Sequence, residues 1–174
     1  DTSAMLASLV IGAGFTFSNL GKVDPAPFTY LPKRELPMPG PLHGIRIIDL
    51  TSVVSGPSAT MLLADQGADV IKVESLHGDF TRHVSNRRGG MAANYLNNNR
   101  NKRSIAVDLK NSRGKALLMR LLEGADVFVQ NFRPGVIERM GFDEAAVRSS
   151  APNIVYVSIS GFGERGPYAT KPVY

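Results

Sequence analysis

The sequence predicts an α/β fold built on an open, mainly parallel sheet, and three observations predict it. First, Gly44–Glu74 reads GIRIIDLTSVVSGPSATMLLADQGADVIKVE, with short apolar runs at Ile45–Leu50 and Asp69–Val73 on either side of a helical stretch. Strands flanking a helix of this size form a β-α-β unit, and such units assemble parallel sheets. Second, the same rhythm of strand and helix continues to the end of the interpretable chain, without an internal repeat. Third, polar loops follow Leu50, Gln130 and Ser160, each at the carboxyl end of an expected strand. Right-handed crossovers bring such ends to one edge of the sheet, where open α/β sheets bind ligands.

In chain order, residues 1–40 read as an extension or linker. The chain begins at Asp1 rather than Met, which is expected of a processed product or a piece of something longer. Leu6–Phe17 is apolar but has no charged region before it, unlike a signal peptide. Gly12-Ala13-Gly14 lacks the third glycine of a dinucleotide fingerprint and is read as chance. Pro25, Pro27, Pro32, Pro37, Pro39 and Pro41 break any regular element, so this stretch reads as a linker or surface-hugging arm.

From Pro41 the first β-α-β unit begins. Its helix is expected over Ser58–Gln66, with apolar Ala59, Met61, Leu62 and Leu63. In the turn Thr51–Pro57, Gly56 is expected to let the backbone pass close to a ligand, and Pro57 suits the first helical turn. This turn is either a phosphate-binding helix N-terminus or an ordinary tight crossover. Ser75–Arg100 is polar and expected to be irregular. Ser104–Leu109 reads as a strand, and Asn111-Ser112 opens a helix, Arg113–Glu123, with Ala116, Leu117, Leu118, Leu121 and Leu122 inward. Gly124 closes it. The strand Asp126–Gln130, short helices at Val136–Met140 and Asp143–Ser149, and the strand Asn153–Ser160 complete the pattern.

At 174 residues and 43% hydrophobic, the chain can bury a core. It has no cysteine, which excludes disulfides, thiolate metal sites and thiol catalysis, and His43, His77 and His83 have no metal-ligand spacing. No apolar run approaches the roughly 20 residues of a membrane span.

The net charge of +5 is unevenly distributed. Nine of the 20 Lys and Arg residues lie between Arg82 and Lys115, with Asp108 as the single acid among them, so the rest of the chain nets −3. That segment should meet something anionic. Tyr95 is its one aromatic, which argues against a nucleic-acid surface. A multiply phosphorylated small ligand beside the first turn, or a solvated basic face, remains.

Four ordered blocks carry a resemblance: PLHGIRIIDLTSVVSGPSATMLLADQGADVIKVE, NKRSIAVDLK, ADVFVQNFRPGVIERMGF and NIVYVSISGFGERGP. Together they are similar to the class III coenzyme A transferases, whose relatives include α-methylacyl-CoA racemase, and they cover Pro41 to Tyr174. The resemblance implies a Rossmann-like open, mainly parallel sheet with helices on both faces, truncated before the family's second domain. Residues 41–174 would be the N-terminal part of the large domain of a CoA-transferase. It also implies an interlocked homodimer in the full-length protein, acyl-CoA and a small carboxylic acid as substrates, no prosthetic group, and a cytoplasmic or organelle-matrix location. No nucleic acid or membrane is expected as a partner.

Carried over by motif, Val53, Val54 and Ser55 would meet CoA through backbone. Ser75 stands where some relatives carry an arginine beside the adenine, so that cation is absent. Val107 and Lys110 would hold the adenine edge and a phosphate, Asn131, Phe132 and Arg133 would lie against pantetheine and pyrophosphate, and Arg139 would pair with a phosphate. The bland alternatives are that Asn131 satisfies turn backbone, Phe132 is core, and Lys110 and Arg139 are solvated. Asp108 reads as a structural partner of Arg103.

In the family an aspartate carboxylate attacks the acyl-CoA thioester, and CoA thiolate opens the resulting anhydride to an enzyme-linked thioester that the acceptor acid reverses. The resemblance places that aspartate beyond Tyr174, so no catalytic residue is expected here. This chain alone is then expected to bind CoA weakly or not at all and to transfer nothing. Racemase relatives carry a catalytic histidine where Tyr174 stands, which favours transferase over a racemase-like isomerase. Formyl-CoA transferases carry glutamine where Val54 stands, so the formyl/oxalate pair is not indicated. A non-catalytic CoA- or nucleotide-binding module is the third reading.

Overall fold

The computed structural model describes residues 8–10, 40–84, 86–88 and 91–171. The Gly12–Gly14 pair, the prolines from Pro25 to Pro39 and Tyr174 lie outside the described residues. The strands are β1 (Ser8–Val10), β2 (Arg46–Leu50), β3 (Asp69–Glu74), β4 (Arg87–Arg88), β5 (Met91–Ala92), β6 (Arg103–Ala106), β7 (Val127–Gln130) and β8 (Val155–Ser158). The α-helices are α1 (Ser55–Asp65), α2 (Ala93–Asn99), α3 (Ser112–Glu123), α4 (Val136–Met140) and α5 (Glu144–Ser150). Six strands form one sheet in the order β1-β6-β3-β2-β7-β8, and β4 and β5 form a separate hairpin.

Strands β6, β3, β2, β7 and β8 are parallel, while β1 joins β6 antiparallel, Leu9 opposite Ile105. Part of the stretch read as an extension therefore adds an edge strand. The chain runs outward from β2 through β3 to β6, then returns to the other side of β2 for β7 and β8. The order reverses between β2 and β7, and this switch point opens a crevice at the strands' carboxyl ends.

Period-2 alternation in the central strands supplies both faces. Ile48, Leu50, Val73 and Phe128 pack with Leu118 and Leu122 of α3, Ile137 of α4 and Val147 of α5. Ile47, Val70 and Val129 face the opposite side and pack with Ala64 of α1. Helices thus cover both faces of the sheet. None of the described helices is long and apolar enough to cross a membrane.

Three expectations need correction. Ser75–Arg100 is not irregular: it holds a 3-10 turn at Phe80–Arg82, the β4–β5 hairpin and α2. The α2 sequence, ANYLNNN, has poor intrinsic helicity. Buried Tyr95 anchors it, and Asn99 Nδ2 donates to the Tyr95 carbonyl at 3.0 Å. Second, Ser104–Leu109 yields a shorter strand, because after Ala106 the chain turns, with Asn111 N–H donating to the Asp108 carbonyl. Third, Ala116 of α3 faces solvent rather than the core. Gly56 serves an internal packing need. A Cβ there would lie 2.3 Å from Thr51 Cβ, so α1 can start this close to β2 only without a side chain.

Gly56→Ala is therefore expected to cost about 2 kcal/mol or more through overpacking. Urea unfolding of the variant reads this as a lowered midpoint, and an unchanged midpoint contradicts the contact.

Candidate functional site

The turn between β2 and α1 lies at the switch point, and side chains from four other positions grip its backbone. Asp49 accepts from Thr51 N–H at 3.0 Å and from the Thr51 hydroxyl. Lys72 Nζ donates to the Thr51 carbonyl at 2.9 Å. Asn131, on the loop after β7, accepts from Ser52 N–H at 3.0 Å and donates to the Ser52 carbonyl at 2.9 Å. Asp79 Oδ1 accepts from Val53 N–H at 3.4 Å, a long and weaker contact. Val53 has φ +71°, a left-handed conformation that β-branched residues avoid. Beyond it, no side chain caps the N-terminus of α1. Its first N–H groups, which lack intrahelical partners, face the carboxyl rim of the sheet.

A buried polar layer supports this turn from beneath. Asp49 is fully buried and also accepts from Thr60 Oγ1 at 2.7 Å and Lys102 Nζ at 2.9 Å. Lys102 completes its shell with the Pro57 carbonyl at 2.8 Å and Asn99 Oδ1 at 3.0 Å. Burial alone would raise the Asp49 pKa, but the charges of Lys72 and Lys102 and two threonine hydroxyls outweigh it and hold the carboxyl down. Lys102 moves down as well, to about 8. Burial dominates there, and Lys72 repels it, while Asp49 is its close counterion.

Beside this layer, Glu74 accepts from Arg82 Nε and Nη2 at 2.7 Å each, from the Tyr95 hydroxyl at 2.7 Å and from Ser104 Oγ at 2.8 Å. Burial opposes its charge, yet these donors and the guanidinium hold its pKa at about 2. Burial and the Glu74 charge push the Tyr95 phenol far above its ordinary value, so it stays a donor.

The ten residues singled out from the sequence follow the carboxyl ends of β2, β3, β6 and β7, eight on loops, Ser55 at the start of α1 and Arg139 on α4, because the five parallel strands share an edge. Val53, Val54 and Ser55 are exposed after β2, and Ser75 is exposed after β3, its hydroxyl donating to the Gly78 carbonyl at 3.2 Å. Lys110 is exposed in the loop after β6. Val107 in that loop is buried and its N–H donates to the Glu74 carbonyl at 2.8 Å. Asn131, Phe132 and Arg133 follow β7, and Phe132 is half-buried against the core. Arg139 on α4 folds back to the same loop: a Cβ built on Gly135 would lie 3.1 Å from its Nη1. The direct contact across the switch point is Asn131 to Ser52. Asp108 caps Lys110 N–H at 3.0 Å, whereas Arg103 pairs with Asp69 at 2.6 Å, so the expected Asp108–Arg103 pair does not form.

Sequence reasoning missed Lys72, Asp79 and Lys102. A lysine inside an apolar strand, as in DVIKVE, was the available signal. It also missed Gly114, where a Cβ would lie 2.0 Å from the Asp108 carbonyl; its absence lets α3 seat against the Val107–Lys110 turn.

The basic segment needs a further correction. Arg82, Arg100, Lys102 and Arg103 are neutralised by Glu74, Asp65, Asp49 and Asp69 of the chain itself. Lys110, Arg113 and Lys115 form no ion pair among the described residues and stand beside the rim at β6. At the other end of the rim, Glu138, Asp143, Glu144 and Glu164 line a hollow with Tyr156 and Ser158. Burial and these carboxylates push the Tyr156 phenol up to about 12. That hollow repels phosphate.

A family model described as CoA-transferase family III matches residues 42–174. The chain belongs to CoA-transferase family III. It is 49% identical over 134 residues to the formyl-CoA:oxalate CoA-transferase of Streptomyces coelicolor, covering 76% of this chain and 32% of that protein. It is 47% identical over 137 residues to the succinate–glutarate CoA-transferase of Agrobacterium fabrum, covering 74% and 34%. The chain thus spans about a third of the length of these family III relatives. A CAIB/BAIF family protein of Brucella suis superposes with TM-score 0.75 at 39% identity, covering 79% of this chain and 38% of that one. Rv3272 from Mycobacterium tuberculosis superposes with TM-score 0.72 at 39% identity, covering 77% and 38%. The polar layer beneath the β2–α1 turn lies within the residues that the family model matches.

The Glu74 pKa sets an acid limit. Folded Glu74 titrates at about 2 against 4.5 for the free group, so its contribution is complete above pH 4.5 and is lost as pH falls toward 2. Unfolding midpoints are expected to drop steeply across that window, with Glu74→Gln flattening the slope. An equal slope in the variant contradicts this.

Proposed function

We propose that this chain supplies the nucleotide half of the acyl-CoA site of a CoA-transferase. The observation that carries it is the uncapped α1 N-terminus at the β2/β7 switch point, clamped by Asn131. A helix N-terminus at a switch point favours pyrophosphate through its free N–H groups and dipole. Val53, Val54 and Ser55 offer backbone to CoA, Ser75 borders the adenine without adding charge, and Val107 offers its carbonyl. Lys110 and Arg139 answer phosphates, while Asn131, Phe132 and Arg133 line the pantetheine path.

Residues 41–174 would then be the N-terminal part of the large domain, within a homodimeric parent that moves CoA from an acyl-CoA to a small carboxylic acid. The transfer runs through an aspartyl-CoA thioester whose carboxylate lies outside this chain. The acid is not chosen by similarity, since relatives named for oxalate and for glutarate match at 49% and 47%.

Titration of CoA into the isotope-labelled chain is expected to give saturable, weak shifts at Ser55, Lys110 and Arg139. Spectra that do not move at about millimolar CoA overturn the reading. Asn131→Ala should raise the dissociation constant about tenfold, since Ser52 loses two partners. Mass detection of acyl transfer by this chain should find none, and clear turnover refutes the placement of the nucleophile elsewhere.

A further inference from the structure

We propose that the buried Lys72–Asp79 pair is a positioning pair that holds Val53 in its left-handed conformation and so presets the backbone that meets CoA. This rests on the reading of the β2–α1 turn as a CoA-binding element.

Val53 stands at φ +71°, and its side chain is 42% exposed. Its own packing therefore does little to hold it there. Unheld, a β-branched residue relaxes to negative φ. What holds it must act on the backbone: on its C-terminal side Ser58 N–H donates to the Val54 carbonyl at 2.8 Å as α1 begins, so φ is set by what grips the chain on the N-terminal side. Lys72 projects from β3 with a side chain only 1% exposed and donates to the Thr51 carbonyl at 2.9 Å. Asp79 is equally buried and reaches Val53 N–H through Oδ1.

Asp79 is in turn rigidly set. Its N–H donates to Glu74 Oε2 at 2.8 Å, and its Oδ1 accepts from Thr81 N–H at 2.9 Å and Thr81 Oγ1 at 2.8 Å. Its other oxygen, Oδ2, has no hydrogen-bond partner, and Lys72 Nζ answers it at 3.0 Å as an ion pair. The pair thus grips the two peptide groups that bracket Ser52, the second of which carries the Val53 N–H, and Asn131 grips Ser52 between them. Holding a strained turn in a single conformation before ligand arrives removes an ordering cost from binding.

Glycine adopts positive φ without help, which separates positioning from bulk stability. CoA affinity and the Val53 φ angle, read from residual dipolar couplings, are measured in Asp79→Ala and in the apolar exchange Lys72→Met/Asp79→Leu. The exchange leaves no buried charge unpaired, so it tests the idea if Asp79→Ala fails to fold. Both variants are expected to move Val53 to negative φ and raise the CoA dissociation constant about tenfold. Adding Val53→Gly to either should restore affinity to within about threefold of the unsubstituted chain. Val53 keeping its positive φ in both variants overturns the inference, as does a loss that Val53→Gly leaves uncorrected. If the unsubstituted chain ignores CoA, the functional reading fails, while the couplings still decide whether the pair holds Val53.

Discussion

Asp49 is the constraint on which the turn depends. This fully buried carboxylate receives the Thr51 N–H and hydroxyl, the Thr60 hydroxyl and the Lys102 ammonium. Three segments meet on it: the end of β2, the body of α1 and the chain entering β6. A buried carboxylate is costly to desolvate, so its value lies in geometry more than in net stability. Its donors satisfy it only when all three segments are in register. Gly56 lets α1 come close enough for that register to be reached.

The same layer changes the meaning of the charge distribution. A chain with +5 net charge and a basic run invites an external anion as partner. Four of those cations instead meet carboxylates that the sequence places 8 to 53 residues away. Folding converts a composition signal into internal ion pairs, and apart from Arg87 and Arg88 on the hairpin the rest of the segment's cations are the small group at Lys110, Arg113 and Lys115. A local excess of charge therefore overstates the anion-binding surface whenever the fold returns acids to it.

The rim is electrostatically divided. The β6 side carries free cations, whereas the β8 side carries the carboxylate hollow of Glu138, Asp143, Glu144 and Glu164. Between them lies the switch point with its uncapped helix start and the Asn131 clamp. A CoA-transferase must hold phosphates at one end of its ligand and carry out acyl chemistry at the other. On the proposed reading, the phosphates would lie toward the cationic end of this rim and away from the carboxylates.

The strand–helix alternation was legible from apolar spacing alone: α4 occupies Val136–Met140 as read, and β2, β3 and β7 begin or end within a residue of expectation. The three rim loops followed from right-handed crossovers, and the motif blocks pointed to the family. Helix α2 was not legible, because ANYLNNN lacks helical propensity and acquires its order from Tyr95 docking on Glu74. Nor was the partner of Arg103, since Asp69 reaches it only once β3 and β6 lie side by side. Local spacing by itself therefore determined which segments became strands and helices, because those choices depend on neighbours within a few residues. Tertiary structure alone decided which charges are spent inside, and why an exposed valine sits at positive φ, because both require groups brought together from distant parts of the chain.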